Sequence, residues 1–482
     1  MSKLIKSITN PKLRLEILTP QEVKRIHDAT LHILENVGVR FPSKRALEIW
    51  ESHGASVDHD KMIVKARPVL IEDALKTCPP VYPLAARDPA QDLPLDGNHV
   101  YVGTDGCGVE VLDIQNGQRR TSRLQDVADI ARLADATEEI AFHWVPVSAQ
   151  DKPPETRGLH EIKAIWENST KHVQTESIYS AREAEAAIEM AAAIAGSKEA
   201  LRKRPVLSLM ECSAPPLGHD AGSLEAALLA AEIGIPTGFM TMAACLTTGP
   251  ATMAGTLAVG NAEVIAATAL LQLAFPGVPV FYAAAQTASD LRSGAYTGGG
   301  PEDFLFGAAQ NALADFYNIP LSMGSFATGA KEPNWQAGLE NSLSTFMASI
   351  VMSDMLLGVG LLHGSRIWSY AEMMMDCEIF SIIHKMMQGI VVDDESLALD
   401  TIAAVGPGGN FLSQKHTLKH MHDMFLPQFM DRRPYNEWEE RKDEARDWAL
   451  DKARKILATH QPDLLDPKLS AELAKIIAAN EK

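Results

Sequence analysis

Residues able to do chemistry are concentrated in a glycine-rich run near the C-terminus of this 482-residue chain. The run Gly406-Pro-Gly-Gly-Asn-Phe411 leads into His416 and Thr417. Glycine lets the backbone approach a ligand closely, and the polar or aromatic side chains that follow can point into the same space. Asn410 and Phe411 are therefore candidate contacts of a small molecule.

A second group of polar and aromatic residues stands at the ends of apolar segments. Glu211 is the most informative, because a carboxylate at the end of an apolar strand costs free energy unless it is paired or faces a cavity. We take Glu211 as the candidate catalytic residue. The other members of the group are Trp144, Glu176, Cys212, Thr241, Met242, Tyr282, Gln286, Ser325, His363 and Arg366. Trp144 and Tyr282 also suit a core, which is the commoner place for such aromatic residues.

Several catalytic and metal-binding signatures are missing from the sequence. It contains no HxE…CxxC motif, no Ser-His-Asp signature and no GxGxxG run. His416 and His420 are one helical turn apart, but a metal site needs a third ligand, which the sequence does not show. Helix packing is the favoured interpretation, and no bound metal is expected. The glycine-rich stretch 295–302 lacks the Lys-Ser/Thr of a phosphate-binding loop and predicts a lid or a turn.

The elements that would position these residues alternate between strand-like and helical segments. The predicted strands are residues 140–147, 171–177, 205–211, 236–242, 279–284, 320–325, 355–361 and 400–405. The helical segments between them include residues 181–196, 223–233, 251–274, 301–317, 334–352 and 372–388. This alternation predicts an α/β fold, a (β/α)8 TIM barrel with its active site at the C-terminal ends of the strands. A doubly wound sheet is the main rival.

The chain is predicted to divide into three parts. Residues 1–135 form a helical and β-hairpin extension, residues 136–425 form the barrel, and residues 426–482 form a C-terminal helical tail. In the extension, Thr19-Pro20 marks a helix start and Asn116-Gly117 marks a hairpin turn. The apolar stretch 251–274 is interrupted by glycines and by a glutamate, so we interpret it as a buried barrel helix and not a membrane span. Residues 436–460 predict one long helix in the tail.

Composition argues against several kinds of partner and location. Acidic residues outnumber basic ones, 62 to 44, and the net charge of −18 disfavours nucleic acid and anionic membranes. The five cysteines include no CxxC pair, so we expect a reducing cytoplasm and no disulfide framework. The first residues, Met1-Ser-Lys-Leu-Ile-Lys6, lack the apolar segment of a secretory signal.

Taken together, a set of motifs spread over about residues 20–455 resembles the trimethylamine methyltransferase family. The family's members are barrel enzymes that demethylate methylated amines and hand the methyl group to a corrinoid protein. The motifs are Val111-Leu-Asp113 with Gly117-Gln-Arg119, the helix 126–135, Thr248-Gly-Pro-Ala-Thr-Met-Ala-Gly255, Gly260-Asn-Ala-Glu263, residues 276–280, Pro301-Glu302, Gln336-Ala-Gly-Leu-Glu340 and Gly408-Gly-Asn-Phe411 with His416-Thr417.

One departure from the family pattern bears on the substrate. Founding members carry pyrrolysine in the region that corresponds to residues 328–334, whereas this chain has ordinary residues there. Similar proteins without pyrrolysine act on quaternary amines, of which glycine betaine is the best known. The resemblance therefore implies methyl transfer from a quaternary amine, with glycine betaine as first candidate, to cobalt(I) of a cognate corrinoid protein. The corrinoid (cobalamin) would be carried by that partner.

The implied substrate gives roles to the candidate residues. Aromatic faces hold a quaternary ammonium, each contributing roughly 0.5–2 kcal/mol, and Glu211 would add a counter-charge. The aromatic candidates are Tyr101, Phe142, Trp144, Tyr282, Phe326 and Trp368. The candidate donors to a betaine carboxylate are Gln286, His363, Arg366, Asn410 and the backbone of Gly408-Gly409.

Other functions stay open at this point. The barrel fits a non-catalytic cytosolic quaternary-amine binding protein, and it fits a methyltransferase for another betaine such as proline betaine or carnitine. A hydrolase or lyase with Glu211 as base is a third interpretation. Barrels of this size often associate, so a homo-oligomer is compatible with the sequence.

Overall fold

The computed structural model describes residues 5–106, 108–295 and 298–481 and has a closed barrel of eight parallel strands at its centre. The strands follow one another around the barrel in chain order, and the eighth pairs back with the first. They are β1 His99–Thr104, β2 Ile140–Trp144, β3 His172–Thr175, β4 Leu207–Cys212, β5 Thr237–Thr241, β6 Val280–Ala284, β7 Leu321–Gly324 and β8 Met355–Val359. The predicted (β/α)8 barrel is confirmed.

Helices surround the barrel and continue into the C-terminal part of the chain. They are α1 Pro20–Asn36, α2 Lys44–Ser52, α3 Pro68–Leu75, α4 Leu124–Asp135, α5 Arg157–Asn168, α6 Ala181–Ala195, α7 Lys198–Lys203, α8 Ala221–Ile233, α9 Met253–Ala274, α10 Pro301–Tyr317, α11 Trp335–Ile350, α12 Tyr370–Met387, α13 Asp394–Leu397, α14 Leu399–Val405, α15 Lys415–His420, α16 Tyr435–Glu440, α17 Ala445–Thr459 and α18 Pro467–Asn480. Short 3₁₀ turns cover Pro89–Gln91 and Met421–Asp423.

In the described parts of the chain, short strands outside the barrel form four small sheets. Ala244–Cys245 pairs with Thr287–Ala288, and Tyr82–Leu84 pairs with Leu93–Leu95. A three-stranded sheet joins Val39–Arg40, Ser56–Asp58 and Ile63–Lys65, and a four-stranded sheet joins Glu110–Leu112, Arg119–Thr121, Leu361–Leu362 and Ile367–Ser369. Ile8–Thr9 pairs antiparallel with the first two residues of β1, His99 and Val100. The predicted hairpin turn is present, with Gly117 at φ +69°.

The prediction of a strand at residues 400–405 is wrong, because this segment is helix α14. The eighth strand of the barrel is instead β1, which lies within residues 1–135 and was predicted as part of a hairpin. A closed ring of eight strands leaves no place for a ninth, so the apolar run after residue 399 is free to be helical. The three-part division of the chain stays a prediction, but barrel strands run from His99 to Val359.

The long C-terminal helix predicted at residues 436–460 is interrupted. Helix α16 ends at Glu440, and α17 begins at Ala445. Trp448 on α17 donates from Nε1 to Asp443 at 2.7 Å, and Arg433 lies over the Trp448 ring at 4.9 Å. These contacts fix the break, which the charge pattern of the segment does not show.

Apolar side chains close the N-terminal end of the barrel. Tyr101, Phe142, Phe281 and Met355 form one buried cluster with the hairpin residues Tyr82, Leu84, Leu93 and Leu95. Tyr82 donates its hydroxyl to the carbonyl oxygen of Val280 at 2.7 Å. A small molecule must therefore approach from the opposite end, where the strands terminate.

Helix α9 is long and apolar enough to cross a membrane, but 83% of its most apolar window is buried inside the protein. It lies between the barrel and the N-terminal helices α1, α2 and α3. Asn261 in this helix donates to Thr30 and to Tyr317, both at 2.8 Å. The helix is therefore a core element of the barrel, as the sequence predicted.

Candidate active site

Carboxyl groups gather where three barrel strands end. Asp105 follows β1 directly, Glu176 follows β3 directly, and Glu211 is the next-to-last residue of β4. All three residues are buried, with exposed fractions of 4%, 7% and 1%. Since the ends of parallel strands meet at one rim, the fold brings these acids from distant parts of the chain to one place.

Asp105 is held in a form that resists ionisation. Burial raises the pKa of its carboxyl well above the ordinary value, and the nearby charge of Glu176 raises the pKa further. The amide of Gly106 donates to the carboxylate and opposes this shift only in part. Oδ2 has no hydrogen-bond partner in the described part of the chain. The side chain is thus ready to interact with a cation or a donor that is brought to it.

Glu211 faces the start of helix α8 rather than the axis of the barrel. Ser223, near the N-terminus of that helix, donates a hydrogen bond to its carboxylate. Burial raises the pKa of Glu211 well above its usual range, and the charge of Glu176 raises it further. Within the residues that the structure describes, Oε1 of Glu211 lacks a partner.

The titratable groups around this rim are acidic. The charged neighbours that shift the pKa of Asp105, Glu211 and Cys212 are all acidic: Glu176, Glu183, Asp220 and Glu211 itself. Burial strengthens these interactions, because the effective dielectric constant falls inside the protein. The rim therefore favours a cationic ligand and disfavours an anionic one.

Three of the six aromatic candidates point into the barrel. Trp144 ends β2, and its ring covers the backbone of Gly106, where an added Cβ would lie 2.4 Å from the ring. Phe142 lies deeper and packs on Gly103 in the same way. Tyr101 lies deeper still and stacks on His99, with ring centroids 5.6 Å apart. Trp144 is the member of this trio at the rim.

The other three aromatic candidates are buried in the large core cluster and not in the cluster that fills the barrel. Tyr282 donates its hydroxyl to Oδ1 of Asn261 at 3.2 Å. Phe326 is fully buried in the large core cluster, and Trp368 is fully buried against Tyr370 in an edge-on contact with centroids 4.9 Å apart. The structure does not bring the six rings together as one cage, and their roles in binding stay predictions.

The polar candidates are distributed over three places. Gln286, just after β6, donates to the Thr256 carbonyl at 2.6 Å and accepts from Gln310 at 2.8 Å. His363 and Arg366 lie in the loop after β8, where Arg366 pairs with Glu110 at 3.1 Å. Asn410 and Phe411 are exposed between α14 and α15, and Asn410 accepts from its own loop, at Leu412.

Part of the rim is open to solvent. Met242 after β5 and Gly324 at the end of β7 are exposed, and Cys212 at the end of β4 is half-buried. A cavity of about 30 Å³ lies beside Gln286 and Asp303, between the ends of β6 and β7 and helix α10. Burial raises the pKa of Asp303 to about 7. Tyr296 and Thr297, in the loop predicted as a lid or turn, lie outside the described residues, as does Cys107.

Sequence reasoning missed two acids that belong to this end of the barrel. Asp105 follows β1, which lies in the region predicted as a helical and β-hairpin extension. The signal that indicates the end of a strand there is the alternation of Val100 and Val102 followed by Thr-Asp-Gly. Glu263 on α9 accepts from Ser213 at 2.6 Å, from Thr241 at 2.8 Å and from the Leu217 amide at 2.8 Å. It ties the segments after β4 and β5 to the helix layer.

The loop after β7 contains residues 328–334, the segment in which the sequence departs from the pattern of the family that it resembles. Thr328 donates to Oε2 of Glu340 at 2.5 Å, and the Gly329 amide donates to the same oxygen at 2.9 Å. Lys331 is exposed and donates to the Gly329 carbonyl at 2.6 Å. Glu340 is the last residue of the motif Gln336-Ala-Gly-Leu-Glu340 in helix α11, and these two hydrogen bonds attach the loop after β7 to that helix.

The fold and the site define the class of the protein as a (β/α)8 barrel with buried acids at the C-terminal rim, the end where barrel enzymes have their active sites. The family model for trimethylamine methyltransferase (MTTB) matches residues 1–482, and the chain belongs to that family. It is 34% identical to the trimethylamine methyltransferase MttB of Desulfitobacterium hafniense strain DSM 10664 / DCB-2 over 464 residues, 96% of this chain and 93% of that protein. It is also 34% identical to the glycine betaine methyltransferase of strain Y51 over 472 residues, 97% and 98% of the two chains.

A solved structure supports the fold independently. The monomethylamine methyltransferase MtmB of Methanosarcina barkeri superposes with a TM-score of 0.50 over 93% of each chain, at 13% sequence identity. An identity this low concerns the fold alone. The fold and the family therefore agree, and the family supports a methyltransferase.

Proposed function

We propose that the protein demethylates a quaternary amine and passes the methyl group to the reduced cobalt of a corrinoid carried by a partner protein, without pyrrolysine. The observation that carries this proposal is the buried acidic rim of Asp105, Glu176 and Glu211. Its charged neighbours are acidic, so it suits a substrate whose nitrogen is permanently positive. Glycine betaine is the first candidate substrate, because a glycine betaine methyltransferase is 34% identical to this chain over nearly its whole length.

A quaternary nitrogen needs no covalent activation. The C–N bond breaks with its electron pair left on nitrogen, which leaves as a neutral tertiary amine, while the methyl group goes to the cobalt(I) acceptor. The chain's task is to bind the cation, exclude water and hold one methyl group toward the open end of the barrel. The ordinary residues of the loop 328–334 agree with this chemistry.

The carboxyl groups of the rim compensate the cation. Burial raises the pKa of the Asp105 carboxyl well above its ordinary value, so its ionised form is disfavoured without substrate. A quaternary ammonium beside it favours the ionised form. Trp144, at the same rim, would offer an aromatic face worth roughly 0.5–2 kcal/mol.

The partner must approach the C-terminal rim, because the opposite end of the barrel is filled. A corrinoid at the cobalt(I) level requires a strongly reducing compartment, which agrees with the cytoplasmic location predicted from the cysteines. The corrinoid partner, its identity and any homo-oligomer belong to this proposal.

The test is a transfer assay with purified protein and a reduced corrinoid protein. Glycine betaine, proline betaine, carnitine, choline and trimethylamine are supplied one at a time. We expect the demethylated tertiary amine and the methylated corrinoid in equal amounts for at least one quaternary amine, and none with trimethylamine. Lack of transfer from every quaternary amine would reject the proposal; tight binding without transfer would instead identify a binding protein.

A further inference from the structure

Two histidines and a glutamate outside the barrel converge on one point. His416 and His420 are on helix α15, and Glu395 is on helix α13, twenty-one residues earlier in the chain. Their candidate ligand atoms all lie within 4.8 Å of one another. The sequence offered the histidine pair without a third ligand; the fold supplies one.

Both imidazole rings present Nε2 to the same residue. Nε2 of His420 lies 3.2 Å from Oε1 of Glu395, and Nε2 of His416 lies 3.3 Å from the Glu395 carbonyl oxygen. The ring centroids are 4.4 Å apart. Histidines four residues apart on a helix stand one above the other, so both can reach one ion.

A carboxylate behind the ligands sets the tautomer of one ring. Oδ2 of Asp423 lies 2.7 Å from Nδ1 of His420. When Nδ1–H donates to that carboxylate, Nε2 carries the lone pair and faces Glu395. This carboxylate–histidine arrangement is the usual support behind a metal-bound imidazole.

From this geometry we propose that His416, His420 and Glu395 form a binding site for Zn²⁺ or a similar divalent transition metal. Two imidazoles and one carboxylate are a ligand set that suits Zn²⁺, with water in the fourth position. Lys419 lies 2.6 Å from Oε1 of Glu395 and is displaced when the ion binds. The ion would join α13 to α15 and restrain the segment between them.

The site stands apart from the acidic rim and from methyl transfer. An open cavity of about 480 Å³ adjoins it, lined by His416, Glu395, Asp400 and Lys415 among others. The cavity gives an ion and its water access from solvent. The metal-binding measurements below do not depend on methyl transfer, so the metal site and the methyltransferase are tested separately.

Equilibrium dialysis of the tag-free full chain against Zn²⁺, after chelator treatment, tests the proposal. We expect one Zn²⁺ per chain, and at least tenfold weaker binding in His416→Ala and in His420→Ala. His422→Ala is the matched control, because His422 is a nearby histidine outside the ligand set. Co²⁺ should give the visible absorption of a tetrahedral site, without thiolate-to-cobalt charge transfer.

Two outcomes would overturn the proposal. One is that no Zn²⁺ is retained above the level of the double variant His416→Ala/His420→Ala. The other is that Zn²⁺ binds equally to that variant, which would place the ion elsewhere. Unchanged thermal unfolding temperatures of the apo variants establish that they fold, since the three ligands are half-buried or exposed.

Discussion

Asp105 is buried, yet one of its carboxylate oxygens has no hydrogen bond among the residues that the structure covers. A group left in this state costs free energy in the folded protein, so a functional reason for it is expected. Its sequence neighbours give little warning, because Thr104-Asp105-Gly106 resembles an ordinary turn. The acid was found only when the fold placed it beside Glu176.

Replacing Asp105 by Asn should weaken quaternary-amine binding and raise stability at neutral pH. The folded-state pKa of Asp105 is raised, whereas the unfolded chain ionises near about 4. The wild-type fold therefore loses stability as the pH rises above that unfolded value, and Asn removes this loss. We expect affinity to fall at least tenfold. In calorimetry the unfolding temperature should exceed that of wild type by a margin that grows as the pH rises above about 4.

The exposed Asp60→Asn is the control for this variant, because it makes the same substitution in a turn of the three-stranded sheet outside the barrel. It should not change the affinity for the amine. If Asp105→Asn bound the amine as tightly as wild type, Asp105 would not be a counter-charge. If its stability advantage did not vary with pH, the raised pKa would be wrong.

At the scale of elements, the layers of the barrel decide what an aromatic residue can do. Successive side chains of a strand point to opposite faces, so one face lines the barrel and the other packs against helices. Trp144 belongs to the cluster inside the barrel, whereas Trp368 is on a short strand outside the barrel and is buried in the large core cluster. The sequence predicted both as cage members, because a buried apolar segment does not reveal which of its side chains line a cavity.

Trp144→Leu and Trp368→Leu form a matched pair that tests this assignment. Trp144→Leu should weaken binding of the quaternary amine by roughly 2- to 30-fold, the loss of one cation–π contact. Trp368→Leu should leave affinity unchanged and lower the unfolding temperature, because the change opens space in the core. Isothermal titration and thermal unfolding measure the two effects. Weaker binding in Trp368→Leu alone would reverse the assignment.

Most helices and seven of the eight barrel strands could be predicted from the sequence. Helix α1 is a clear case, since Thr19 and Glu22 form the expected capping box at Pro20. Strand β1 was missed because its valines stand next to a genuine hairpin signal. The run at 400–405 was misassigned because a short apolar segment fits helix and strand equally well.

The candidate site was harder to predict than the fold for a physical reason. Glu211 was found because a charge in an apolar strand is conspicuous by itself. Glu176 interacts electrostatically with Asp105 and with Glu211, and each pair is more than 30 positions apart in the chain. No local pattern in the sequence indicates that such distant residues are neighbours. The third ligand at Glu395 was missed for the same reason.

At the scale of the whole molecule, the buried acids contribute more than the buried histidines to the pH dependence of stability above neutral pH. Burial raises the pKa of Glu161 to about 7 and of Asp303 to about 7. Glu372 and Asp376 share donors from Asn341, and burial raises the pKa of both. Burial lowers the pKa of three histidines instead, His143 to about 3 and His172 and His219 to about 4.

These shifts predict that the protein loses stability between about pH 7 and pH 8.5. In that window the histidines are neutral in the fold and largely neutral in the unfolded chain, where their pKa is about 6.5, so the acids decide the slope. The fold retains protons that the unfolded carboxyls, which ionise near about 4, have already released, so stability falls as the pH rises. Calorimetry at constant ionic strength should show the unfolding temperature falling by several degrees, and Glu161→Gln should flatten the curve. A temperature that rises across this window would mean that these carboxyls are ionised in the fold.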